Sequence, residues 1–169
     1  MHKPNPSEYA PFYQRYIEAI PHKNLFEAFA AQQPIIDQFF DQVSEEKSLF
    51  AYAEGKWSIR CMMQHIIDTE RIFSYRALAF ARGESQSLPG FDENNYADAS
   101  DADRRPWAEL CGELKTLRSS TIQLFAGFSE DMLLRQGVAN GNPMTVRAAA
   151  YCIIGHLNHH IGILKERYL

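Results

Sequence analysis

The chain has 169 residues, of which 46% are hydrophobic, 12% aromatic and 22% charged. This composition excludes an intrinsically disordered chain, because enough apolar side chains are present to offset the entropy lost on folding. The length predicts a single domain spanning residues 1–169, which buries roughly 70% of its unfolded surface. The 17 basic and 21 acidic residues give a net charge of −4 without a block of lysine or arginine, which argues against a nucleic-acid partner.

The three cysteines, Cys61, Cys111 and Cys152, are widely spaced and form neither a CxxC motif nor a disulfide pattern. This usage is typical of a reducing cytoplasm. The first residues lack the apolar segment of a secretion signal. The longest apolar run, residues 148–154, is far shorter than the ~20 residues that a transmembrane helix needs. We therefore expect a cytoplasmic protein that does not act at a membrane.

The predicted elements are all helical, and no segment is predicted as a strand. Residues 9–20 predict a short aromatic arm that carries Phe12 and Tyr16 and lies between Pro6 and Pro21. The first long helix covers residues 24–43, with Asn24 as its N-cap. Pro34 lies inside it and is expected to kink or interrupt it, because proline lacks an amide hydrogen and crowds the preceding turn.

Three further helices are predicted, because the apolar residues in each segment recur at helical spacing. The second begins after Ser58 and ends near Gly83. A long polar loop over residues 83–101 comes next, and loops of that length often act as lids or binding segments. The remaining helices are predicted over residues 103–125 and 145–168. Four helices of this length predict an all-α fold, with a helical bundle as its natural packing.

Two histidines on the last helix are predicted to face inward. At about 100° per residue, His160 lies about 50° and His156 about 90° from the centre of the apolar stripe, on the same side. His159 lies about 150° away and is predicted to face solvent. On the second helix, His65 lies at the edge of the stripe, where it can reach a neighbouring helix.

Two imidazoles one turn apart, joined by a third from a facing helix, meet the needs of a divalent transition metal. Three protein ligands leave one position for water or substrate. The alternative is a set of buried, hydrogen-bonded core histidines. The spacing alone does not establish that His65 meets His156 and His160, so both interpretations stay open here.

Other polar residues allow the same two interpretations. Glu70 lies near the centre of an apolar stripe, where an unpaired carboxylate is costly. It is either a partner that orients a ligand histidine or half of a buried ion pair with an arginine. Cys152 lies off the core face and is expected to be a packing residue. Three arginines are candidates either for an anionic substrate or for ion pairs: Arg71, Arg76 and Arg147.

Three motifs in order resemble the DinB/YfiT-like superfamily, over nearly the whole chain. They are Tyr-Ala-Glu-Gly-Lys-Trp-Ser at residues 52–58, Gln-His-Ile-Ile-Asp-Thr-Glu-Arg at 64–71 and Gly-His-Leu-Asn-His-His-Ile at 155–161. The Leu-Pro-Gly-Phe-Asp stretch at 88–92 is also similar. The resemblance implies an up-down-down-up four-helix bundle. It further implies a divalent metal, zinc or nickel, held by His65, His156 and His160.

The resemblance also implies a chemistry. Characterised members are thiol-dependent S-transferases or isomerases, so we expect a low-molecular-weight thiol such as bacillithiol, an electrophilic substrate and a homodimer, in stress response or detoxification. Glu70 is the candidate acceptor of the thiol proton. Two alternatives remain: a metal-dependent hydrolase, and a non-catalytic stress-associated protein that binds a metal or a small ligand.

Overall fold

A computed structural model describes residues 2–169 of the chain. Over these residues the α-helices are α1 Gln14–Glu18, α2 Leu25–Gln42, α3 Ile59–Ala81, α4 Glu93–Ala99, α5 Trp107–Ala126, α6 Glu130–Leu134 and α7 Val146–Arg167. Short 3-10 helices cover Pro6–Glu8, Pro11–Tyr13, Lys47–Leu49 and Ala102–Arg104. Two strands are present, β1 Gln136–Ala139 and β2 Asn142–Thr145. In the part of the chain described, none of the helices is long and apolar enough to cross a lipid bilayer.

The long helices begin at side chains that satisfy free backbone amides. Asn24 Oδ1 accepts from the amides of Phe26 and Glu27 at the start of α2. Ser58 Oγ accepts from the amide of Cys61 at the start of α3, over 2.9 Å. The predicted starts of these two helices are confirmed.

The helix α2 runs through Pro34 without interruption, so of the predicted kink or interruption the interruption does not occur. Proline removes one hydrogen bond of the helix. The flanking Phe29 and Ile36 are buried in the core, and this packing holds the segment helical in spite of the missing bond.

Contacts between the long helices fix their directions. The helices α3 and α5 are parallel, since Arg71 contacts Glu113 and Ser74 contacts Thr121, further along both helices. The connection between them therefore returns along the length of the bundle. Part of that connection, predicted as a loop over residues 83–101, forms α4, whose N-cap is Asp92.

The helices α2 and α7 are also parallel. Tyr151 donates to the carbonyl of Lys23 just before α2, and Gln32 donates to Asn158 one to two turns further along. Tyr168 at the end of α7 donates to the carbonyl of Trp57 just before α3, and the later His65 of α3 meets the earlier His156 of α7, so these two helices are antiparallel. The order is up-down-down-up, and the predicted bundle topology is confirmed.

The β-hairpin corrects the expectation of no strands. The strands β1 and β2 pair in antiparallel register through a turn at Asn140-Gly141, where both residues have positive φ, as a tight hairpin turn requires. Gly137 lies against Phe80 of α3 so closely that a Cβ atom would come within 2.0 Å of the ring. Leu88 hydrogen-bonds with Val138 and Asn140, which ties the α3–α4 connection to the hairpin.

Candidate metal centre

Three histidine side chains converge between α3 and α7. The Nε2 atom of His156 lies 3.0 Å from Nε2 of His65 and 3.0 Å from Nε2 of His160. His156 and His160 are one turn apart, so their rings project from the same side of α7. The antiparallel packing of the two helices brings His65 opposite them. These are the three residues that the sequence analysis proposes as ligands.

Burial keeps all three imidazoles neutral at neutral pH. It lowers the pKa of His65 to about 4 and the pKa of His160 to about 3. The pKa of His156 is also lowered well below its ordinary value, first by burial and then by its two histidine neighbours. A neutral imidazole has a lone pair on one ring nitrogen, and this is the form that binds metals.

The donor set fits a divalent transition metal. Nitrogen ligands lie about 2.0–2.1 Å from zinc, so two of them on one ion are at most about 4.2 Å apart, and both measured separations satisfy this limit. A ring nitrogen of a neutral imidazole has either one N–H or one lone pair, so the two contacts of His156 Nε2 cannot both be well-aligned two-centre hydrogen bonds. The Nδ1 atom of His160 is buried and has no hydrogen-bond partner among the described residues.

The neighbouring His159 stays outside this cluster but is not fully exposed as predicted. Its ring lies 5.1 Å from the ring of Tyr16, in the N-terminal arm. The N-terminal arm, which includes α1, packs across α7 and covers the face of α7 that the helical spacing assigns to solvent. Tyr16 also meets His156 edge to face, at 5.9 Å between ring centroids.

The close approach of the arm depends on Gly155. A Cβ atom at this position would lie 2.4 Å from the backbone oxygen of Tyr16. The glycine that precedes the first histidine of α7 therefore lets the arm backbone contact the helix directly. Trp57 covers another side of the site, with its ring 5.1 Å from that of His65. Neither aromatic residue was predicted as part of the site, although Trp57 lies in the first quoted motif.

A cavity of about 510 Å³ opens beside the histidines, within the size range of small-molecule sites. The arm, α3, α7 and the hairpin all contribute to its walls. Its exposed lining residues include Phe12, Arg15 and Glu93. Cys152 contributes to the wall and is buried rather than peripheral to the core, and burial raises the pKa of its thiol.

Glu70 forms an ion pair and does not contact the histidines. Its two carboxylate oxygens accept three hydrogen bonds from Arg118, at 2.8–3.2 Å, and both side chains are almost completely buried. Arg118 also donates to Gln32, which donates to Asn158 of α7. The network joins α2, α3, α5 and α7. Of the two interpretations of Glu70, the structure shows the buried ion pair with an arginine, and a role as proton acceptor stays a prediction.

Two of the three candidate anion-binding arginines are also engaged in ion pairs. Arg71 lies 2.6 Å from Glu113, and Arg147 pairs with Glu8. The third, Arg76, lines the cavity.

An up-down-down-up helical bundle with three inward-facing histidines on two antiparallel helices defines a bundle protein with a candidate metal centre. The chain belongs to the DinB superfamily, whose family model matches residues 28–164. The predicted family is thereby confirmed.

Individual proteins show the same relationship. A protein of Oceanobacillus iheyensis, named "Putative metal-dependent hydrolase OB0413", is 24% identical over 126 residues, which cover 74% of this chain and 72% of that protein. A Bacillus licheniformis protein, named "Putative metal-dependent hydrolase BLi00869/BLi00870/BL03027", is 23% identical over 138 residues. These residues cover 73% of this chain and 72% of that protein.

Two solved structures share the fold. YfiT from Bacillus subtilis, described as "a probable metal-dependent hydrolase with an unusual four-helix bundle topology", superimposes with a TM-score of 0.72 at 18% identity, covering 98% of this chain and 90% of YfiT. The DinB-like protein YjoA of Bacillus subtilis gives a TM-score of 0.59 at 19% identity, covering 84% of this chain and 87% of YjoA.

Proposed function

We propose that the protein binds a divalent metal, zinc or nickel, through His65, His156 and His160, and transfers a low-molecular-weight thiol to an electrophile in the adjoining cavity. The observation that carries this proposal is the convergence of three neutral imidazole nitrogens at the cavity wall. A divalent metal in this position supplies Lewis-acid chemistry, which lowers the pKa of a thiol or water beside it.

The residues around the centre have separate roles in this proposal. Burial holds the histidines in the neutral form that a metal requires. Trp57 and Tyr16 shield the cluster from bulk water on two sides. The cavity admits a small thiol and an electrophile. In the reaction, the thiol proton passes to solvent, a carbon–sulfur bond forms, and the leaving group departs from that carbon with its electron pair.

A thiol nucleophile needs no buried carboxylate base in the cavity, where the half-buried His159 is the lining imidazole outside the ligand set. Among the described residues that line the cavity, Glu93 is the only carboxylate, and it is exposed. A free thiol, with a pKa of about 8.5, ionises far more readily than bulk water, with a pKa of about 15.7, whereas a zinc-bound water reaches about 7. Acidity therefore permits either nucleophile once a metal is bound. The chain's own cysteines do not substitute for an external thiol, because burial raises the pKa of Cys61 to about 11 and of Cys111 to about 12.

Hydrolysis is the second candidate, and the names of the two sequence relatives favour it. In that case the nucleophile is water. The same three histidines serve both reactions, so the ligand set does not discriminate between them.

The first experiment measures metal content in the purified wild type and in His160→Ala, with His159→Ala as the matched control on the same helix. We expect stoichiometric metal in the wild type and control, and little in His160→Ala. Equal metal in all three proteins would refute the metal centre.

The second experiment incubates the metal-loaded protein with a chloro-aromatic electrophile, with and without bacillithiol or glutathione. Conjugate and chloride that form only with the thiol support transfer, whereas product without the thiol supports hydrolysis. Thermal stabilisation by metal with no turnover on a panel of electrophiles would favour a non-catalytic binding protein.

The proposal also includes a cytoplasmic homodimer, in keeping with a thiol cosubstrate. Light scattering coupled to size-exclusion chromatography measures the mass of the assembly. A mass of one chain at micromolar concentration would contradict the dimer.

A further inference from the structure

Arg76 on α3 is a buried cation without a counter-ion. Only 3% of the residue is exposed. The other two buried arginines of the described chain each pair with a glutamate: Arg60 with Glu45 and Arg118 with Glu70. Across residues 2–169, no carboxylate lies within ion-pair distance of Arg76. A buried guanidinium without a partner is costly to the fold, so its retention needs a reason.

The contacts of Arg76 leave most of its donors free. Its Nη2 atom donates to the carbonyl of Pro89 over 2.9 Å, and the guanidinium lies 5.2 Å from the centre of the Phe73 ring. Its charge and a hydrogen bond to the Tyr13 hydroxyl lower the pKa of that hydroxyl, against the larger effect of burial. A guanidinium has five N–H donors in a planar fork that matches the oxygens of a carboxylate or phosphate. The groups that touch Arg76 supply no negative charge.

One face of α3 lines the cavity from Arg76 to the histidine cluster. His65, Thr69, Phe73 and Arg76 follow one another at intervals of three or four residues, and all line the same cavity. The hydroxyl of Thr69 is buried and has no hydrogen-bond partner among the described residues. The Thr69 hydroxyl is thus a second polar group on this wall, besides Arg76, that is available to hydrogen-bond to a ligand. The rise from His65 to Arg76 is about 16 Å along the helix axis.

We propose that Arg76 binds an anionic group, a carboxylate or a phosphate, of the substrate whose reacting end lies at His65, His156 and His160. The substrate class is therefore an elongated small molecule with an acidic end, and Thr69 hydrogen-bonds to its middle. The assignment of the anion to a reacting substrate rests on the proposed function. Binding of an anion at Arg76 does not, because it needs no metal.

A structural role for Arg76 explains less of what is observed. The contacts with the Pro89 carbonyl and the Tyr13 hydroxyl use two of the five donors, and a neutral amide side chain has two N–H donors as well. A cation kept buried in a cavity wall, with donors left over, is the arrangement found at binding sites that are built at a cost to stability.

The test measures binding of two probes, succinate and inorganic phosphate, to metal-stripped and metal-loaded protein by calorimetry, with total ionic strength held constant by chloride. The variants are Arg76→Gln, Arg76→Lys and, as a matched control, Arg82→Gln, which removes an exposed arginine outside the cavity. We expect at least one probe to bind the wild type. Its Kd rises about tenfold or more in Arg76→Gln, and not in Arg82→Gln. Preference between the probes distinguishes carboxylate from phosphate.

Thermal unfolding of the metal-stripped variants separates binding from folding. Arg76→Gln should unfold at the wild-type temperature or above it, because no ion pair is lost. Failure of the wild type to bind either probe would overturn the proposal, as would unchanged affinity in Arg76→Gln. If Arg76→Gln does not fold, binding by Arg76→Lys supports the proposal and loss of binding overturns it. Anion binding without any metal uptake would leave the anion site standing and refute the proposed metal chemistry.

Discussion

The Nε2 atoms of His65 and His156 lie 3.0 Å apart although 91 residues separate them in the chain. Both imidazoles are neutral at neutral pH, since burial lowers the pKa of both. Each neutral ring has one lone pair, and His160 brings a third ring nitrogen to the same small volume. A metal that binds these nitrogens in the folded chain adds its binding free energy to that of folding, so metal binding and folding stability are coupled.

Metal is predicted to stabilise the folded protein. Adding zinc or nickel to chelator-treated wild type should raise its free energy of unfolding by about 2.7 kcal/mol at a free metal concentration 100 times Kd. His156→Ala should lose this increase, and His159→Ala should retain it. Thermal unfolding with increasing metal measures the effect, and an equal response in His156→Ala would contradict the three-histidine centre.

The stability of the metal-free protein is predicted to fall as the pH drops below about 6.5. Because the pKa of His65 falls to about 4 and that of His160 to about 3 on folding, the unfolded chain binds protons in this range that the folded chain does not. Stability then rises with pH, by up to about 1.4 kcal/mol per pH unit for each such histidine.

Urea unfolding between pH 7.5 and pH 5 measures this slope. Carboxyl groups with a lowered pKa, such as those of Glu8 and Glu113, lose their contribution to stability below their ordinary value of 4.5. Burial raises the pKa of Asp68, which opposes the histidine slope at the acidic end, so the comparison with a histidine variant isolates the histidine effect. His65→Asn should give a shallower slope than the wild type. Parallel slopes in the two proteins would show that His65 takes up its proton freely in the folded state.

Glu70→Gln is predicted to destabilise the bundle and to leave the metal centre intact. It removes the partner of the buried Arg118, and an uncompensated buried charge costs about 3–5 kcal/mol. The double substitution Glu70→Gln with Arg118→Met should recover much of this loss. Chemical unfolding gives the free energies, and metal analysis of the folded fraction gives the ligand content. A stable Glu70→Gln protein that has lost its activity would support the role of a base.

Helical periodicity and capping residues predicted the parts of the fold that depend on residues close together in the chain. Helical periodicity and caps placed α2 and α3, and the four-residue spacing placed His156 and His160 on one side of α7. The meeting with His65 depends on how α3 and α7 pack, which periodicity does not contain. That contact followed only from the resemblance of the motifs to a family.

Two other features, the β-hairpin and the partner of Glu70, could not be predicted from neighbouring residues in the sequence. Each strand of the hairpin has four residues, so neither shows enough alternation to be distinguished from a turn, and Gly137 adopts its place by packing on Phe80. The partner of Glu70 lies 48 residues away on α5. The sequence indicated that this carboxylate needed compensation, but the choice between arginine and histidine was made by tertiary packing.

Gly155→Ala is predicted to displace the N-terminal arm from α7. The new Cβ atom would lie 2.4 Å from the backbone oxygen of Tyr16, and backbone cannot yield as the end of a flexible side chain can. Relief of the clash requires Tyr16 to move away from His156, which opens the cavity on that side. Overpacking of this kind typically costs about 1–3 kcal/mol.

Gly162→Ala provides the matched control, since it lies on the same helix, is exposed and has no atom within 4 Å of a built Cβ. Alanine is favoured over glycine in a helix by up to about 1 kcal/mol, so the control should be more stable than the wild type. Chemical unfolding compares the two, and limited proteolysis near Arg15 reports release of the arm. Because both changes add one methyl group to α7, opposite signs of their effects would assign the loss in Gly155→Ala to the contact with the arm, whereas an equal gain in both would show that the arm does not rest on this glycine.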